Sequence, residues 1–337
     1  MDLNIIWFLL VGILIIGYAV LDGFDLGVGI IHLFTKDENE KRINLNAIGP
    51  VWDGNEVWLL TGGGALFAAF PIVYATVFSG FYLAFMLLLA ALIFRAVSFE
   101  FRKYSEPKDK KYWDLAFGIG SLVPALLYGV AIGNILRGLP IDVKGAYHGS
   151  FLGLLNPYAL AVGAVSLVMF VMHGAIYMTL KTDGLLRDKM IRRANTSWIV
   201  FVLLYFIATF MTIFSGRWLF ESVLGFPIFW ILLALLFITI IYIPIGLKTK
   251  RFGNTFTAST LIITSMILLV ALSLFPKLVP SSLDLGYSLT IYNASSTPRT
   301  LETMLIIAII GVPIVLVYTI WIYRIFRGKV ELNKDSY

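Results

Sequence analysis

Along this 337-residue chain, long apolar runs alternate with short polar stretches. A helix needs about 20 apolar residues to cross the hydrocarbon of a bilayer. Nine segments meet that need: residues 5–33, 48–70, 73–98, 113–136, 154–180, 197–215, 225–247, 255–276 and 302–326. Pro71, after Ala68-Ala69-Phe70, marks a tight break between the second and third segments. The loops are short, and the longest, about 277–301, is rich in Ser, Thr and Asn. The pattern predicts an all-α polytopic membrane protein, with 1–337 forming one integral membrane domain.

Composition strengthens that reading. The chain is 59% hydrophobic and 14% charged, whereas a soluble domain carries about 25% charged residues. Met1-Asp2-Leu3-Asn4 lacks the basic region of a cleaved signal, so the first apolar segment is expected to stay as an anchor. The net charge of +6 would suit a nucleic-acid binder, but the placement of the basic residues explains it without one. Twenty Lys and Arg fall on one side of the predicted spans, in the stretches 36–42, 102–111, 181–193, 248–251 and 324–334. Five fall on the other side: Arg137, Lys144, Arg217, Lys277 and Arg299. Arg95 lies inside the third span. The positive-inside rule then puts the N-terminus outside and the C-terminus in the cytoplasm, as an odd span count requires.

The charges left inside the spans gather at one depth. Asp22 and Asp25 lie in the inner half of the first span, and Asp53 and Glu56 in the first turns of the second. Each pair is three residues apart and shares a helix face. Arg95 and Glu100 lie near the inner end of the third span, and Asp114 opens the fourth. A charge at the membrane centre costs at least about 2.5 kcal/mol, and such residues are usually functional. Buried carboxylates opening to one face suit a path for protons or cations. Arg95 is expected to neutralise one of them. Asp114 and Glu100 equally suit solvated helix ends, with Asp114 favoured by the helix dipole.

Other chemistry is scarce. The chain has no cysteine, which excludes disulfides, Cys-ligated zinc and iron–sulfur clusters. Of three histidines only His173 lies deep in a span; His32 ends the first and His148 falls in an outer loop. A haem held by two histidines needs both at matching depth, so no cofactor ligand is expected here. Gly62-Gly63-Gly64 is no phosphate loop, since no Gly-Lys-Ser/Thr follows; like Gly129 and Gly133 it suits close helix packing. On these features alone a proton- or cation-coupled transporter and a structural scaffold both remain open.

The runs Gly17-Tyr18-Ala19-Val20-Leu21-Asp22-Gly23-Phe24-Asp25-Leu26-Gly27-Val28-Gly29 and Trp52-Asp53-Gly54-Asn55-Glu56-Val57-Trp58-Leu59 resemble the first two helix signatures of subunit II of cytochrome bd-type quinol oxidases. Phe94-Arg95-Ala96-Val97-Ser98-Phe99-Glu100-Phe101-Arg102 is similar to the end of the third helix, where some members carry Asp instead of Glu100. Leu155-Asn156-Pro157-Tyr158, Phe275-Pro276 and Pro280-Ser281-Ser282 also fit, so the likeness runs along nearly the whole chain. It implies two four-helix bundles (1–137 with the acidic cluster, and 154–276) plus a peripheral ninth helix at 302–326. It implies a non-haem subunit of a quinol:O2 oxidoreductase, without a complete active site of its own, in a bacterial or archaeal cytoplasmic membrane. Two haems b and one haem d would sit in a partner, subunit I, which this chain stabilises. Asp53 and Glu100 match acidic positions on the family's proton path, Asp25 belongs to the first-helix motif, and Asp22, Glu56 and Asp114 are grouped with them. Lipid and quinol are implied contacts, while a structural quinone and a small single-helix subunit stay open.

Overall fold

The computed structural model describes residues 2–332; Lys334, counted above among the inner basic residues, and the side chain of Arg217 lie outside what is described. Helices account for most of it. They are α1 (Leu3–Leu33), α2 (Glu38–Ile48), α3 (Trp52–Ala69), α4 (Pro71–Gly80), α5 (Tyr82–Tyr104), α6 (Lys110–Arg137), α7 (Phe151–Leu154), α8 (Pro157–Lys181), α9 (Gly184–Ser215), α10 (Arg217–Val223), α11 (Pro227–Lys248), α12 (Phe252–Leu274) and α13 (Pro298–Ile325). Two short strands, β1 (Lys277–Val279) and β2 (Leu289–Thr290), pair antiparallel in the loop before α13.

Eight of these helices are long and apolar enough to cross a membrane, and α3 and α4 pass that test only as a pair bent by 120°. The predicted third span therefore shifts. Residues 71–80 form the separate helix α4, because Pro71 can start a helix but not continue one. The membrane helix begins at Tyr82 and runs on to Tyr104. Two further elements escaped the hydropathy reading. The polar segment after α1 folds as α2, capped by the Asp37 carboxylate on the Glu40 N–H. The sixth span extends back to Gly184 through basic, solvent-facing turns.

Helices α1, α6 and α8 form the centre. α1 packs on α3, α6 and α8; α5 packs on α6; α8 packs on α6, α9 and α12; α11 pairs with α12. α13 packs mainly on α1 and α3, with Leu301 as its buried residue. The α1–α8 crossing is held by glycine. A Cβ at Gly27 would stand 1.9 Å from the Phe170 carbonyl oxygen, and one at Gly174 would stand 2.6 Å from the Val28 nitrogen. The backbones meet so closely that no side chain fits between them, as happens where helices associate by van der Waals packing alone. The first-helix signature is thus largely a packing pattern, with Gly23 and Gly27 facing Phe170 and Gly29 facing Ser121.

Candidate functional site

Four of the seven charged residues singled out from the sequence meet between α1, α3 and α5. Arg95 is fully buried. Its Nη2 donates to Asp22 Oδ1 at 2.7 Å, and its Nη1 donates to Asp22 Oδ2 at 3.1 Å and to Glu56 Oε1 at 2.7 Å. Asp22 also accepts from the Tyr18 hydroxyl at 2.8 Å, and that hydroxyl lies 2.7 Å from the hydroxyl of Tyr128 on α6. Asp25, one turn further in, accepts from Asn55 Nδ2 at 2.7 Å. Asn55 in turn accepts from the Tyr323 hydroxyl of α13 at 3.0 Å. Asp25 Oδ1 is buried and has no hydrogen-bond partner. Paired charges in a low-dielectric interior are tolerated when hydrogen bonds occupy the remaining lone pairs; Asp22 meets that condition and Asp25 does so only at one oxygen.

Asp114 lies elsewhere. Its Oδ1 accepts from His32 Nε2 at 2.7 Å and from Arg102 Nε at 2.5 Å, while its Oδ2 accepts from Lys41 Nζ at 2.6 Å. Arg102 is itself buried and also holds Glu38 of α2 at 2.9 Å. This second network fastens α2 across the inner ends of α1, α5 and α6. Asp53 and Glu100 are exposed on the surface of the chain. Asp53 and Glu56, expected to share a face, differ in environment: Glu56 is drawn to Arg95, and Asp53 is exposed.

Several members of the networks were not singled out from the sequence. Tyr18 could have been found, since it precedes Asp22 by one helical turn. Asn55 sits inside the second signature, and Arg102 ends the third. Tyr128, Tyr323 and Lys41 carry no local signal, because only packing between distant helices brings them in.

The histidines do not fit a haem site. His173 Nε2 donates to the Val20 carbonyl at 3.1 Å, its Nδ1 is 2.7 Å from Ser259 Oγ, and its ring stacks on Phe256. His32 is committed to Asp114, and His148 Nε2 lies 2.9 Å from Asp142 in the outer loop. Among the described residues, no group of three or more His, Asp or Glu is arranged to hold a metal. Outward of the charged cluster, the helices line an open apolar cleft of about 1060 Å³ with no histidine in its wall. Tyr18, Trp58 and Tyr128 line its polar end, and the Trp58 indole N–H is buried without a hydrogen-bond partner.

Comparison with known proteins gives this arrangement a setting. Cytochrome bd ubiquinol oxidase subunit 2 of Bacillus subtilis is 36% identical over 333 residues, covering 98% of this chain and 97% of that protein. Cytochrome bd-I ubiquinol oxidase subunit 2 of Escherichia coli K12 is 38% identical over 372 residues, covering 99% and 98%. A probable cytochrome oxidase subunit 2 of Haemophilus influenzae is 40% identical over 364 residues, covering 98% and 96%. A chain of the bd oxidase structure from Geobacillus thermodenitrificans superposes with a TM-score of 0.80 at 18% identity, covering 97% of this chain and 99% of that one, which establishes a common fold. The family described as cytochrome bd terminal oxidase subunit II matches residues 3–326, and the chain, a multi-pass membrane protein, belongs to that family.

Proposed function

We propose that this chain is the non-haem subunit of a cytochrome bd-type quinol:O2 oxidoreductase of the bacterial cytoplasmic membrane. In that complex it would stabilise a haem-bearing subunit and help to deliver cytoplasmic protons for reduction of O2 to water. The observation that carries this reading is the family match over residues 3–326. The haems would belong to subunit I, since the histidines here are committed to other partners. The exposed apolar faces of α3, α5 and α13 suit contact with that subunit, with lipid and with a small single-helix subunit. A structural quinone would find apolar walls for its tail in the large cleft, and a free hydrogen-bond donor for its ring at the Trp58 indole N–H.

The proton route uses the two exposed acids, Asp53 and Glu100. From the Arg95–Glu56 contact, Glu100 lies five residues toward the inner face along α5, and Asp53 lies three along α3. At helical rise these steps are about 7.5 and 4.5 Å, so Asp53 is the deeper acid. Glu100 would take protons up and Asp53 would relay them, with Asp25 next inward through its unpartnered oxygen. Asp22, Glu56 and Asp114 would act as fixed charges held by Arg95 or by Arg102, Lys41 and His32. Asp53→Asn keeps size and removes the titratable proton, so O2 consumption should fall by roughly tenfold or more, as loss of a positioned proton carrier does. Asp53→Glu should keep part of the rate. Turnover of Asp53→Asn equal to the parent, on complex with full haem content, would remove this residue from the route.

A further inference from the structure

The α11–α12 hairpin has an unusual charge balance. No Asp or Glu occurs anywhere between Glu221 and Asp284. Its inner tip nevertheless carries Lys248, Lys250 and Arg251. Several other inner basic residues have acids of their own: Arg102 and Lys110 hold Glu38, Lys41 holds Asp114, Lys189 holds Glu40, and Arg187 and Lys329 hold Asp183. Among the described residues, the three cations of the hairpin tip have no such ion pair.

The backbone at the tip gives a second sign. α11 ends in a Schellman turn, in which the Arg251 N–H bonds the Gly246 carbonyl at 2.9 Å and the Lys250 N–H bonds the Leu247 carbonyl at 3.2 Å. The residue after the cap takes a left-handed conformation, which favours glycine. Here it is Lys250, at φ 58°, the only described non-glycine residue with positive φ. A lysine held in a glycine conformation costs stability, and such sites tend to be functional.

Below the tip, a groove of about 400 Å³ runs between the two helices. Tyr242 and Thr239 of α11 and Thr257, Ala258 and Leu261 of α12 form its walls, and Arg251 stands at its mouth. The hairpin is closed above it, where Gly246 lies against Thr255. Pro244 lets α11 bend here, and the Ile240 carbonyl that Pro244 cannot satisfy accepts from the Trp198 indole at 2.8 Å. Ile238 and Ile241 beside the groove are exposed, so it opens outward from the helix pair.

We infer that this hairpin binds one anionic phospholipid, with its phosphodiester on Lys248, Lys250 and Arg251 and an acyl chain in the groove. The proposal commits to a lipid of the phosphatidylglycerol class, because three cations without an ion pair among the described residues cluster at the hairpin tip, and one of them, Arg251, lines the groove. Attraction of about 1 kcal/mol per basic residue near an anionic lipid surface corresponds to roughly a fivefold change in affinity per charge.

The test is titration of phosphatidylglycerol and, separately, phosphatidylethanolamine into delipidated full-length protein with its co-purifying partners, read by native mass spectrometry. The parent should retain one phosphatidylglycerol in preference to phosphatidylethanolamine. Lys250→Gly with Arg251→Gln should weaken that binding roughly twentyfold. Lys250→Gly also relieves the left-handed lysine, so an unchanged or raised melting temperature would separate lost binding from misfolding. Thr257→Trp, which fills the groove and keeps all three cations, should weaken binding as well. Equal retention of the two lipids, parent-like affinity in either variant, or displacement of the lipid by excess inorganic phosphate would overturn the site.

Discussion

The inner half of the α1–α3–α5–α6 region and the α8–α12 region solve the same problem in opposite ways. In the first, Arg95 is buried against Asp22 and Glu56, and Asp114 against Arg102, Lys41 and His32. In the second, α8 has most of its residues buried but holds its neighbours through small residues and hydroxyls: Gly163 against Val130, Gly174 against α1, and His173 on Ser259. Lipid supplies no hydrophobic drive between helices, so association there rests on close packing and hydrogen bonds. The charged region carries a desolvation cost that close packing avoids. A protein that needed only assembly could have used the second solution throughout. We propose that the first region does something besides pack, which the changes below test.

Changes in each region should break this contrast in graded steps. The largest loss is expected from Gly27→Ala, where the new methyl meets backbone rather than a movable side chain. The α1–α8 crossing must open, at a cost on the order of 4 kcal/mol or more. Recovery of folded complex from membranes measures it, and parent-like recovery would refute the packing role. Arg95→Leu leaves Asp22 buried, and Glu56 half-buried, without their cation, costing about 3–5 kcal/mol. The triple change Arg95→Met, Asp22→Asn, Glu56→Gln should restore most of the lost thermal stability. If it did, yet lowered turnover, the charges would be there for proton handling. If it restored both, they would be structural only.

His173→Ala removes two hydrogen bonds and a ring stacked on Phe256, so a loss of about 1–3 kcal/mol is expected. The haem spectrum of the assembled complex should stay intact, and loss of one haem signal with normal assembly would contradict this. The smallest effect belongs to an exposed pair. The hydrogen bond from His148 holds the Asp142 carboxyl below its ordinary range, helped by the Ala146 and Lys144 backbone N–H groups. A depressed carboxylate stabilises the fold above the ordinary carboxylate pKa, and that contribution fades as pH falls through the lowered value. Exposed pairs contribute little, so His148→Ala should leave the neutral-pH melting temperature unchanged. A clear drop would mean that the outer loop is anchored more firmly than its exposure implies.

Hydropathy alone determined the membrane class and most of the spans, because about 20 apolar residues in a row have one stable fate in a bilayer. The signatures around Asp22, Asp53 and Arg95 pointed to the family, which the match over residues 3–326 then established. The break at Pro71 was legible, since a proline has a local cost. The helix identities of α4 and α2 were not, because neither is an apolar run long enough to stand out. Which charges pair was likewise beyond the pattern. Residues 22, 56 and 95 lie on three helices, and helix periodicity fixes the face of a residue but not the rotation of one helix against another. That rotation is set by contacts such as Gly27 against Phe170 and Gly174 against Val28. Only the tertiary structure could therefore decide that Glu56 turns inward to Arg95 while Asp53, three residues before it, remains at the surface.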